Sequence, residues 1–371
     1  MSPSESVTSQ TDLPAAIATH AGQALGAPDL IRLEPGLYAL RFEVMKARSA
    51  RAALERLLAE GRIAPGGTVI DSSSGIYACA LAMACHEFGL KCYIIGSTTI
   101  DPVLRAQLAM MGAELEQMPP SDSLRADQDR RVARVHQLLS RHPEWHWMRQ
   151  YHDAVHRLGY RPLARSVGRL LARAGSRHVN LVAPVGSGVS SAAIATGLTE
   201  AGLSAALTGV QPFGSVTFGS ERVDDPDMLI AGIGSSITFE NVHHDLYEEI
   251  HWVSYRVGRA GAVSLCRDHA LFAGLSSGAA YAVARDALSR GPEEPAGCRP
   301  APGAVLMLCP DTGHRYLDPV FTATESVPHV SVFAPHRLDE RGQTPRLPWS
   351  SVRWGGRIPQ EPSHGASPGP G

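Results

Sequence analysis

The chain has 371 residues, of which 44% are hydrophobic and 19% charged, enough to fill two packed domains flanked by tails. Its 34 basic and 36 acidic side chains leave a formal charge of −2, so no overall basic excess exists to hold a nucleic-acid backbone. The opening MSPSESVTSQTDLP carries neither a basic nor an apolar region, and no stretch approaches the roughly 18 uncharged apolar residues of a membrane span, so a cytoplasmic location is expected. Six cysteines without CxxC spacing read as reduced core thiols. Only Lys46 and Lys91 are lysines, against 32 arginines, so chemistry that needs a lysine amine has two candidates.

Residues 1–12 are polar, and residues 334–371 are rich in Pro, Gly, Arg and Ser; both read as tails. Between them short apolar runs alternate with amphipathic stretches: TVIDSS then ACALAMACHEFG, KCYIIGS then PVLRAQLAMMGA, HVNLVAPVGSG then VSSAAIATGLTEAG, and AVLMLCP near the end. That alternation marks a parallel α/β sheet with crossover helices. Ile76, Ala80, Ala84 and Phe88 recur at helical spacing, Gly89 supplies a C-cap and Lys91 opens the next strand as a solvated cation. The stretch SDSLRADQDRRVARVHQLLSRHPEW reads as a linker-like helix carrying the chain back between lobes, its charges on a solvated face.

Three Ser/Gly loops stand where strands give way to helices: Asp71–Gly75, Gly186–Ser190 and Pro310–Gly313. Ligands collect at such points because free N–H groups and helix dipoles converge on anions. The loop at Gly186 suits a phosphate, since small residues let the backbone approach it; it has neither GxGxxG nor a Walker lysine, which weighs against dinucleotides and nucleoside triphosphates. Gly274-Leu275-Ser276-Ser277-Gly278 satisfies Gly-x-Ser-x-Gly, with Asp311 and His314 following, but RDHALFA before it is short and helical where a nucleophile elbow needs a strand. It reads instead as a serine-capped helix start. The histidines at 142–146 and 243–244 lack the spacing of a metal site, and no metal is expected.

Taken together these segments resemble the cysteine synthase and cystathionine β-synthase family over about residues 26–326. The resemblance is carried by GAPDLIRL, FEVMKARSARAAL, IDSSSG, MRQYHDA, GSGVS, AGLSSGAA and CPDTGHRYLD in that order. It implies pyridoxal 5′-phosphate as cofactor and a tryptophan synthase β-like α/β fold of two three-layer domains with the cofactor between them. On that pattern residues 13–45 and 156–333 form the large cofactor domain, and 46–155 a small mobile substrate domain. Lys46 matches the Schiff-base lysine, in an apolar setting that favours a neutral amine. Gly186, Ser187, Gly188, Val189 and Ser190 match the phosphate loop, with Val189 in place of a glycine. Thr312 matches the hydroxyl facing the pyridine nitrogen, a partner that favours loss of a β-leaving group over transamination; Asp311 is left as a turn residue. Ser73, Ser74, Gly75 and Gln150 match the groups that receive the substrate carboxylate, and Ile76 stands where the family places an asparagine against the cofactor's ring hydroxyl.

The resemblance implies β-replacement on O-phospho- or O-acetylserine through an aminoacrylate, with small amino acids as the partners and a homodimer as the assembly. The altered Ile76-Tyr77 loop points to a specialised amine-using member that makes a diaminopropionate-type product, ahead of a sulfide-using cysteine synthase or a β-eliminating lyase. Arg149, His152, His156, Arg157, Arg161, Phe213, Phe218 and Arg222 are the expected lining of an entrance for an acidic amino acid. A degenerate regulatory scaffold and a serine hydrolase are the readings from other classes.

Overall fold

The computed structural model describes residues 17–98, 100–120, 124–227, 232–291 and 303–359. The tail expected at 1–12 lies outside them, as do residues 360–371. The described chain begins with α1 (Ala21–Leu25), β1 (Asp29–Glu34) and β2 (Leu37–Arg41), the two strands forming an antiparallel hairpin.

Next come α2 (Met45–Ala59), β3 (Thr68–Ser72), α3 (Ile76–Phe88), β4 (Lys91–Gly96), α4 (Pro102–Met110), β5 (Glu114–Gln117), α5 (Leu124–Arg141) and β6 (His146–Trp147). Their strands pair in parallel as β5-β4-β3-β6. Val69, Cys92 and Ile94 point into a core shared with α2, α3 and α4, while their neighbours Ile70 and Ile95 meet Val135 and Leu138 of α5 on the opposite face. This two-sided burial is why β3 and β4 read as nearly continuous apolar runs. Gly89 takes the left-handed conformation after α3 (φ 65°), and Lys91 opens β4 exposed to solvent.

α5 departs from the linker expected of it. It is a covering helix, because Val135 and Leu138, three residues apart, close the face of the sheet that α2–α4 leave open. Its charge-rich sequence hid this; two buried apolar side chains are enough, at about 1.5–3 kcal/mol each.

The remaining elements are α6 (Arg161–Arg173), β7 (His178–Pro184), α7 (Val189–Glu200), β8 (Ser204–Gln211), β9 (Glu249–Val253), α8 (Tyr255–His269), α9 (Leu275–Arg290), β10 (Gly303–Cys309), β11 (His336–Leu338) and β12 (Trp349–Arg353). They complete an eight-stranded sheet, β1-β2-β10-β7-β8-β9-β12-β11, parallel from β2 through β9. Alternate strand residues serve opposite cores: Leu181 and Leu306 pack with α6 and α7, Val182 and Met307 with α8 and α9. Both sheets are therefore three-layered α/β units.

The C-terminal tail is corrected by β11 and β12. Trp349, Ser350, Ser351 and Val352 are all buried, and β12 runs antiparallel along the edge of β9. A polar, proline-rich window conceals a strand whose buried positions are small serines flanked by Trp and Val; the edge of β9, distant in sequence, provides its partner.

Candidate active site

The segments that end β3 and follow β10 converge on Lys46, which lies in the first turn of α2 and feels the charges of both Asp71 and Asp311. That turn is pinned by Met45 N–H donating to the Pro310 carbonyl (2.9 Å) and Val44 N–H to Leu25 (2.9 Å), and by Tyr160 OH donating to the Met45 carbonyl (3.0 Å). Burial pushes the Lys46 amine down to about 8, partly offset by the carboxylates of Asp311 and Asp71, while Arg315 adds to the depression. A lysine so tuned is still mostly protonated at pH 7 but carries a far larger neutral fraction than an ordinary lysine.

Asp71, the penultimate residue of β3, is buried. Its Oδ1 accepts from Ser72 N–H (2.7 Å) and Trp147 Nε1–H (3.1 Å), its Oδ2 from Gln150 N–H (3.3 Å). Burial raises it to about 6 against the pull of these donors and of Lys46. One carboxylate thus ties the start of the 73–75 loop to Gln150. In that loop Ser73 N–H donates to the Ile95 carbonyl (3.1 Å), and the half-buried Ser74 accepts from Ser97 N–H through its hydroxyl (2.7 Å). Gly75 has open space where a side chain would go, and Ile76 begins α3 half-buried. Gln150 is buried, and its Nε2 has no partner among the described residues.

The loop after β7 is shaped by close approach. A Cβ on Gly186 would lie 2.6 Å from the Gly232 carbonyl, and one on Gly188 (φ 80°) 2.5 Å from that of Asn241. Val189 opens α7 and buries its side chain in the core, so the family's missing glycine leaves a regular helical start. Ser187 and Ser190 are half-buried, next to first-turn N–H groups that lack intrahelical acceptors. Asn241 joins this loop to the rest, since its Nδ2 donates to the Gln150 carbonyl (3.2 Å).

At the end of β10, Asp311 is buried. Its Oδ2 accepts from Tyr316 OH (2.9 Å), its Oδ1 has no partner among the described residues, and burial raises it to about 6. Thr312 is buried beside it, 3.3 Å from His314 Nδ1. Asp311 is thus more than the expected turn residue: it is one of two acids facing Lys46. Its sequence signal, an acid flanked by Pro and Thr, does not distinguish the two roles.

The residues present fit a phosphorylated aldehyde: a lysine with a depressed pKa, a two-glycine cradle at a helix N-terminus, and an unpaired amide donor in Gln150. Residues 40–297 match the family model described as pyridoxal-phosphate dependent enzyme. The chain belongs to that family. It is similar to the N-(2-amino-2-carboxyethyl)-L-glutamate synthases of Ralstonia nicotianae, at 33% identity over 75% of this chain and 78% of that one, and of Cupriavidus metallidurans, at 34% with the same coverage. The fold is also that of the O-acetylserine-dependent cystathionine β-synthase of Helicobacter pylori, with TM-score 0.68 and 21% identity over 82% of this chain and 98% of that one. The protein is a pyridoxal-phosphate enzyme, which sets aside the bare-scaffold and hydrolase readings. Ser276 is the second residue of α9, which follows α8 and not a strand, and among the described residues the helix has no side-chain cap of the kind expected.

The expected entrance for an acidic amino acid is corrected in most of its members. His156 is buried on Tyr77, Arg157 hydrogen-bonds Asn241 and His243, and Arg161 pairs with Glu200. Phe213 and Phe218 are core residues, and Arg222 and Arg149 are exposed, the latter over Trp147. Sequence neighbourhood placed His156, Arg157 and Arg161 just beyond Gln150, but the turn Ala154–Arg157 gives His156 and Arg157 protein partners instead. Sequence reading missed Arg131 of α5, which donates to Ser72 Oγ (3.2 Å) at the start of the 73–75 loop.

Proposed function

We propose that the protein joins an activated L-serine, O-phospho- or O-acetylserine, to the amino group of glutamate or a related amine by β-replacement. In this reading the Cβ–O bond breaks, the leaving group takes its electron pair, and the amine nitrogen bonds to Cβ and loses a proton. The observation that carries it is the likeness, at 33–34% identity over three quarters of the chain, to synthases whose product is an N-alkylated glutamate.

Pyridoxal phosphate, when bound, supplies the electron sink that acidifies the α-carbon. Lys46 is its covalent anchor and moves the α-proton, a task suited to an amine at about 8. Gly186, Ser187, Gly188, Val189 and Ser190 hold the phosphate, Thr312 faces the ring nitrogen, and Ile76 packs where the family has asparagine. Ser73, Ser74, Gly75 and Gln150 take the amino-acid carboxylate, a role supported by the unpartnered Gln150 Nε2. Arg131, beside Ser72, is the group that meets a glutamate carboxylate. Residues 46–155 carry the substrate loop and the larger sheet the phosphate loop. The reading includes a homodimer in the cytoplasm; no helix among the described residues is long and apolar enough to cross a membrane.

The deciding experiment offers each donor with sulfide, homocysteine, ammonia and glutamate and reads products by mass spectrometry. The expected product is the glutamate adduct. Efficient cysteine formation without any amine adduct overturns the reading, and pyruvate release independent of nucleophile marks a lyase.

A further inference from the structure

Tyr77 is the second residue of α3, two positions after Gly75, and is 1% exposed. The other buried side chains of that helix are alanine, cysteine, leucine and methionine, so its hydroxyl is the one buried side-chain oxygen there. It lies 2.8 Å from Nε2 of His156, also 1% exposed. His156 Nδ1 lies 3.1 Å from the Asp153 carbonyl oxygen, which can only accept. Nδ1 therefore carries the proton, Nε2 accepts, and Tyr77 donates. Burial holds His156 down at about 4, with Asp153 opposing and His146 and Lys46 assisting. It pushes Tyr77 well up, with Asp71 assisting. Both stay neutral at working pH.

Space-filling does not account for the pair, because phenylalanine would occupy the same volume without desolvating a hydroxyl. What it joins does. The segment 150–156 is held by Asp71 at the Gln150 N–H, by Asn241 Nδ2 at the carbonyls of Gln150 (3.2 Å) and Asp153 (3.3 Å), and by Tyr77 at His156. Asn241 is the residue against which Gly188 packs, and α3 continues directly from the 73–75 loop. A continuous strut therefore runs from the substrate loop through Tyr77, His156 and Asn241 to the loop before α7.

We infer that Tyr77 and His156 are a positioning pair for the donor amino acid: their hydrogen bond sets where Gln150 stands relative to Ser73–Gly75, so that the carboxylate meets a preformed clamp. This rests on the reading that those groups take the carboxylate, and the control below separates the two.

The test uses the holoenzyme with Tyr77→Phe, His156→Leu, His156→Gln, the double variant Y77F/H156L, and Gln150→Ala as control, reading donor KM, kcat, cofactor absorbance and melting temperature. Y77F and H156L, which both delete the Tyr77–His156 hydrogen bond, are expected to raise donor KM about 5- to 10-fold, with kcat held within about twofold and absorbance unchanged. H156Q, whose Oε1 can accept, recovers part of the loss, and the double variant is no worse than the worse single. A drop in melting temperature with donor KM unmoved, or additive effects on KM, overturns the pair's role while Gln150→Ala still raises KM. If Gln150→Ala leaves donor KM unmoved, the carboxylate assignment fails and the proposal with it.

Discussion

The carboxylate of Asp71 accepts the main-chain N–H of Gln150 at 3.3 Å, joining residues 79 positions apart in sequence. Asp71→Asn keeps the shape and one acceptor oxygen but turns an NH2 group toward one of three donors. The expected result is a donor KM raised roughly tenfold, the cost of one unmet buried donor, and a Lys46 pKa lowered further because an acid that raises it is gone. Steady-state kinetics against pH reads both.

Cofactor capture is expected to follow the Lys46 amine. Only the neutral amine attacks an aldehyde, and its folded value is about 8 rather than the ordinary 10.5. The rate at which stripped protein regains visible absorbance should climb through pH 8 and level off near 9; a plateau reached only above pH 10 contradicts it. Lys46→Ala should cost about 10² to 10⁴ in turnover, while Lys91→Ala, at an exposed strand end, should leave capture and turnover unchanged.

Asp311 is a stability cost at neutral pH. Its value rises from 3.8 unfolded to about 6 folded through burial, so the folded state holds its proton more tightly. The favourable contribution is complete below pH 4 and is lost as pH rises through 6. Asp311→Asn, still able to accept from Tyr316, is expected to stabilise the protein at pH 7.5 by up to about 3 kcal/mol. Thermal melts at pH 7.5 and 3.5 check the sign: the gain should vanish at the lower pH.

Two glycines should behave differently. Gly188→Ala imposes a Cβ at φ 80° against the Asn241 carbonyl, and is expected to destabilise by about 1–3 kcal/mol and to lose cofactor on dialysis. Gly75→Ala, at φ −134° with open space around it, should melt as wild type yet bind the donor more weakly, since the methyl enters the cleft. Equal cofactor retention in both variants would count against the cradle.

Arg131→Gln is expected to raise the KM for glutamate by about tenfold, the value of one charge-assisted hydrogen bond, and to leave turnover with ammonia unchanged. An equal loss with both nucleophiles would place Arg131 in loop support through Ser72 instead.

Much of the cleft was legible in sequence because its signals are local. The lysine census isolates Lys46; the glycines of the 186–190 loop and the serines of 72–74 interrupt apolar runs at fixed points; strand and helix alternate in the order of a parallel sheet. Each of these is set by a few neighbouring residues and their backbone preferences. Tertiary structure decided what depends on distant partners. Asp71 and Asp311 look like ordinary turn acids until burial beside Lys46 shifts all three. α5 looks like a solvated linker until Val135 and Leu138 meet Ile70 and Ile95. Residues 349–353 look like tail until the edge of β9 accepts them, and His156 looks like an entrance cation until Tyr77 takes its lone pair. Burial and hydrogen-bond partnership are pairwise properties of residues far apart in the chain, so no window of the sequence contains them.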